Sequence, residues 1–181
     1  MTSTGRIEKS QPRERQLNAD SNEERLQLAV LHKHWVTADS ISYHLRQSVN
    51  SGVPPSGLPE PQAELAQQLS TMAGIAVWYS LLYVVIEGYQ ELNQHDEAID
   101  ELLARGDFAD KLRRFRNATF HFQAEPLPEK LMAFLTAQDS EKWIRALDKA
   151  FRHFFERRLR IGDMLKRLGW RSGNEGTENN E

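Results

Sequence analysis

The chain has 181 residues, no cysteine and a formal net charge of -3. That length suits one domain with a real core. The missing cysteines exclude disulfides, zinc–thiolate sites and thiol catalysis, and the mild acidity argues against a protein that coats nucleic acid over its whole surface, though not against a local basic groove.

Residues 1–22 are polar and carry no periodic apolar pattern, which predicts a disordered segment. They also lack an apolar secretory core, so a cytoplasmic protein is expected. From Glu23 to Val49 the spacing of Leu31, Trp35, Ala38, Leu45 and Val49 predicts a first helix. The proline- and glycine-rich stretch Ser51–Pro61 reads as a loop. A second helix is predicted from Gln62 to Leu92. Within it, Met72–Ile86 is apolar on nearly every side but only 15 residues long before Glu87. A span requires ~20 residues, so this segment is expected to be the central buried helix of a bundle, with no membrane partner.

A short helix is predicted over Asp96–Ala104, with Gly106 as its C-cap. The next helix should run from Phe108 to Phe122, with Phe108, Leu112, Phe115, Thr119 and Phe122 on its apolar face and Pro126 and Pro128 closing it. A turn of helix at Glu129–Leu135 leads to a last long helix from Asp139 or Ser140 to Leu168. Its seam is Trp143, Leu147, Ala150, Phe154, Ile161, Leu165 and Leu168. No period-2 strand and no internal repeat are visible. The expectation is an all-α bundle of four to five main helices over residues 23–168, followed by a disordered tail over 169–181.

Chemistry concentrates in Leu112-Arg-Arg-Phe-Arg-Asn-Ala-Thr-Phe-His-Phe122. Arginine offers a permanently charged fork of donors for a phosphate, and histidine is the side chain whose proton moves near neutral pH. Arg25 with His32 and Arg114 with His121 have a similar interval, but only Arg116 is followed by asparagine. The tract Arg116-Asn117-x-x-x-His121, late in the chain and just before the final long helix, resembles the signature of HEPN domains, many of which are metal-independent endoribonucleases. The resemblance implies an RNA substrate, no cofactor, no metal, and a homodimer whose two motifs line one cleft. It also implies a toxin–antitoxin or anti-phage role, with a possible antitoxin partner. In that reading His121 moves the proton, Arg116 holds the scissile phosphate, and Asn117 orients the phosphate or the imidazole. On a regular helix Arg116 and His121 diverge by about 140°, which independently disfavours a site within one chain.

Glu87, after eight residues without charge, either faces solvent at its helix end or pairs with a cation, for which Arg116 is the candidate. The last helix carries nine basic and four acidic residues, a balance of +5. Arg113, Arg114, Arg152 and Arg157 are candidate contacts for an RNA backbone, although a solvated helix face explains the same charges. His32, His34 and His44 are not spaced as joint metal ligands, and His153 belongs to the basic surface. Two alternatives stay open. One is a non-catalytic helical bundle used for dimerisation or partner binding. The other, a nucleotide-binding module, lacks any phosphate-cradling motif.

Overall fold

The computed structural model describes residues 12–51, 59–125 and 127–160, with side chains in the first helix for residues 22–48. The described residues form six helices and no strand. They are α1 (Pro12–Ser51), α2 (Glu60–Glu91), α3 (Glu97–Leu103), α4 (Phe108–Phe120), α5 (Glu129–Leu135) and α6 (Ser140–Leu159). The fold is therefore the expected all-α bundle, four longer helices supplemented by two short ones.

α1 starts at Pro12 rather than Glu23. Proline is favoured at a first helical position, and the Arg-Glu-Arg-Gln-Leu that follows consists of strong helix formers, so propensity carries the helix past the point where apolar periodicity stops. α1 and α2 form an antiparallel hairpin held at two glycines. A Cβ on Gly88 would lie 2.5 Å from Leu31 Cδ1, and one on Gly74 would lie 2.3 Å from Leu45 Cδ2. The missing side chains let each leucine seat against the α2 backbone. The residues of the expected loop from 52 to 58 lie outside the described residues.

The buried part of α2 sits later than its apolar run suggests. Trp78, Tyr79, Leu82, Tyr83, Val85, Ile86 and Tyr89 are buried, whereas Met72 is exposed. Contrary to the expectation from the 15-residue apolar run, α2 as a whole is long and apolar enough to cross a membrane by length and composition. Its later half, from Trp78 to Tyr89, packs into the core against α1 and α4.

Aromatic rings bind the rest together. Tyr79 meets Phe115 of α4 at 5.8 Å and Phe134 of α5 at 5.5 Å, and Tyr89 meets Phe151 and Phe154 of α6. α3 is tied at both ends. Asp96 caps it by accepting from the Ile99 N–H, and the Trp143 indole donates to the Leu102 carbonyl at 2.8 Å. Gly106 adopts positive φ as expected, but in the α3–α4 turn, two residues beyond the cap at Ala104.

Two further boundaries differ from expectation. α4 stops at Phe120, so Phe122 leaves the apolar face and is 95% exposed; Ala118 is buried instead. α6 gives way to a left-handed Arg160, and the expected continuation to Leu168, with Ile161 and Leu165, lies outside the described residues, as does Pro126. Within α6 the seam of Trp143, Leu147, Ala150 and Phe154 is buried as expected, joined by Ile144, Phe151 and Phe155.

Candidate functional site

Leu112 and Phe115 bury one face of α4 and dock it against α2. Arg116, next in sequence to Phe115, is thereby brought to the edge of the interface, where it meets Glu87. Its Nη2 donates to the Glu87 carboxylate, and its Nη1 donates to Asn117 Oδ1 at 3.0 Å. The guanidinium also lies over the Tyr83 ring, 5.4 Å from its centroid. Both members of the ion pair are partly buried, which strengthens their attraction relative to a pair in open water. The cation that Glu87 requires is thus Arg116.

A guanidinium has five N–H donors. Among the described residues, Glu87 and Asn117 take one each, which leaves three for a ligand. Asn117 therefore holds the arginine rather than reaching towards His121. Tyr83 gives the fork a flat apolar backing. Burial, then the neighbouring Glu87 charge, pushes its hydroxyl above the ordinary tyrosine pKa, so it stays protonated. Tyr83 was not singled out from sequence, although its place four residues before Glu87 puts both on one helix face.

His121 is the C-cap of α4. Its N–H donates to the Asn117 carbonyl at 3.1 Å, after which the backbone turns extended, with φ -113° and ψ 143°. The ring is exposed, and no hydrogen bond or ring contact joins it to Arg116 among the described residues. The 140° divergence of a regular helix thus does not fix its aim, because His121 is where the helix ends. Phe120, Phe122 and Leu127, 55%, 95% and 60% exposed, flank this end and form an apolar rim that the sequence reading placed partly inside.

The other candidate residues are dispersed and paired. Arg113 and Arg114 both bind Asp110, at 2.7 and 2.8 Å. Arg113 holds the Asp110 carboxyl below its ordinary pKa. Arg152 reaches Asp39 of α1 at 2.8 Å over the Trp35 ring, and Arg157 pairs with Asp96. Arg158 pairs with Glu24, and Arg145 with Glu141. Much of the positive charge of α6 is therefore matched by carboxylates of α1, α6 and the α3 cap. Exposed pairs of this kind are worth ~0–1 kcal/mol, so a phosphate could exchange into them.

The histidines of α1 do not converge. His32 stacks on Trp35 at 5.7 Å and meets Phe155 edge-on at 5.1 Å; burial lowers its pKa, which keeps it neutral near pH 7. His153 pairs with Glu156 on the α6 surface. Among the described residues no group of three histidine or acidic side chains is arranged to hold a metal ion. No protein-family model, characterised protein or solved structure matches the chain.

Proposed function

We propose that this protein is a metal-independent endoribonuclease of HEPN type, acting as a homodimer whose paired motifs share one cleft. The observation that carries the reading is the guanidinium of Arg116, held by Glu87 and Asn117 against Tyr83 with donors left over, at the end of the helix that closes with exposed His121. An arginine anchored in this way costs little further ordering when it grips a phosphate.

In the reaction, His121 removes the proton of a ribose 2′-hydroxyl. The 2′-oxygen then forms a bond to phosphorus as the bond to the 5′-oxygen breaks. The imidazolium of the partner protomer's motif returns a proton to the departing oxygen. Arg116 neutralises the charge that develops on the non-bridging oxygens. Two motifs supply base and acid separately, so one exposed imidazole per protomer is enough.

A toxin–antitoxin or anti-phage role accords with this chemistry, as does a cytoplasmic location. The experiment is incubation of the purified protein with a mixed RNA pool in EDTA, followed by analysis of the ends. Cleavage leaving 2′,3′-cyclic phosphates is expected. His121→Ala should remove roughly 10²–10⁴-fold of the rate, the usual size of a lost acid–base group. Arg116→Lys should be severely impaired, because a point charge does not reproduce the fork. A folded His121→Ala protein that cuts as fast as the parent would refute the mechanism. The apolar rim of Phe120, Phe122 and Leu127 favours one further reading, a non-catalytic bundle that uses this end for dimerisation or partner binding. It predicts a dimer with no cleavage at all.

A further inference from the structure

The end of α6 carries the molecule's least expected turn. Arg160, the C-cap of α6, is left-handed, with φ 46° and ψ 47°, and the sequence continues its apolar spacing beyond it through Ile161, Leu165 and Leu168. These residues, with Met164 beside them in sequence, lie outside the described residues. They call for another apolar surface within reach.

Such a surface lies at the same end of the molecule. Leu26, Val30 and Leu31 of α1, with Val84, Gly88 and Leu92 of α2, line a groove of about 450 Å³. Leu26 is 67% exposed and Val30 52%, in contrast to the buried leucines around them. Glu87 and Glu91 give its α2 side an acidic rim. Two ion pairs locate the end of α6 beside it. Arg158 binds Glu24, two residues before Leu26, and Arg157 binds Asp96, four residues after Leu92.

Length and charge agree. The groove runs along α1 from Leu26 to His34, about 12 Å of helix, and residues 161–171 taken as helix measure about 16 Å. On such a helix Ile161, Leu165 and Leu168 share a face. The segment has three basic residues, Lys166, Arg167 and Arg171, against Asp163, a balance of +2 opposite the acidic rim.

We infer that residues 161–171 of this chain dock in the α1–α2 groove, apolar face on Leu26 and Val30 and basic residues beside Glu87 and Glu91. The inference does not depend on the ribonuclease reading. It does give that site a neighbour, since Glu87 on the groove rim is the carboxylate that holds Arg116. Lys166 or Arg167 reaching Glu87 would compete with Arg116 for it.

The absence of cysteine makes the test direct, because one engineered pair defines one disulfide. Val30→Cys with Leu165→Cys is introduced into the full chain and oxidised mildly at low micromolar concentration. Leu26→Cys with Leu165→Cys serves as a second pair, and Tyr43→Cys with Leu165→Cys as a control on the same helix away from the groove. Far-UV circular dichroism verifies folding. The expected result is an intramolecular disulfide, identified by peptide mass, forming at least tenfold faster in the groove pairs than in the control. Adding Glu91→Lys should slow it. Equal rates in groove and control pairs would overturn the inference. Cross-linking mainly into covalent dimers would also overturn it, by giving the groove to a second copy.

Discussion

Glu87 closes the most apolar stretch of the chain, and its partner decides what that position costs. A carboxylate left half-buried and alone carries a desolvation cost that nothing offsets; paired with Arg116, Glu87 becomes the residue that aims a guanidinium. Glu87→Gln retains the shape and removes the charge. RNA cleavage is expected to fall about 10- to 100-fold, as for loss of a positioning group, with an unchanged circular dichroism spectrum. Full activity in the folded variant would reduce the pair to a structural contact. Asp148 allows a separate test. It is buried on α6, accepts the Trp35 indole N–H at 3.0 Å, and has its pKa raised by burial and then by Asp39, against the opposing pull of Trp35 and Arg152. The folded state thus keeps this proton to higher pH than the unfolded chain. Its contribution to stability is full below the ordinary carboxyl value of 3.8 and is lost as pH rises through the folded pKa. Asp148→Asn keeps an acceptor for Trp35 and removes the titration. Urea unfolding across a pH series should show the variant gaining on the parent as pH rises from 3.8; a constant gap would clear Asp148 as the source. Of these residues, sequence marked Arg116 by its motif, and Glu87 because a charge at the end of an apolar run demands solvent or a partner. It did not mark Asp148, whose burial depends on α1 crossing a helix more than a hundred residues away.

At the level of elements, helix existence was legible wherever one apolar face repeats at helical spacing, as in α4 and α6. Boundaries were less so, because they depend on what each end touches. Propensity extended α1 backwards to Pro12, α4 let go at His121 before its last phenylalanine could turn inward, and α6 is capped by a left-handed Arg160. The α1–α2 packing was hidden for a different reason: a glycine inside a helix gives no sign of which leucine rests on it. Leu31 over Gly88 is itself buried, so a side chain there pushes its methyl group into a filled core. Gly88→Val should lower stability by about 1–3 kcal/mol, the range for overpacking, measured by thermal unfolding. Gly74→Ala should cost less, because Leu45 is only partly buried and can swing outward, and alanine recovers ~1 kcal/mol of helix propensity. The reverse order would assign the tight contact to the wrong glycine.

For the whole molecule, the charge asymmetry noted in sequence is largely settled internally. α6 is basic, yet it pairs with Glu24 and Asp39 of α1 and with Asp96 at the head of α3, so acidic surroundings match much of its charge. An apolar rim of Phe120, Phe122 and Leu127 remains at the end that carries the motif. Light scattering at micromolar concentration is expected to find a dimer, and Phe122→Asp with Phe120→Asp should shift it to monomer and abolish cleavage. A parent protein that stays monomeric and still cuts RNA would remove the composite site. The hairpin of α1 and α2, whose second helix carries Glu87, has one more property. Leu31 and Leu45 are 14 residues apart, as are Gly88 and Gly74, so contact recurs after two heptads on both helices. Side chains on straight α-helices drift about 20° per heptad, about 40° over this distance. A drift of that size still leaves both leucines facing α2, so the hairpin stays in side-chain-to-backbone contact across about four turns, and a Cβ at either glycine pushes the two helices apart at that end.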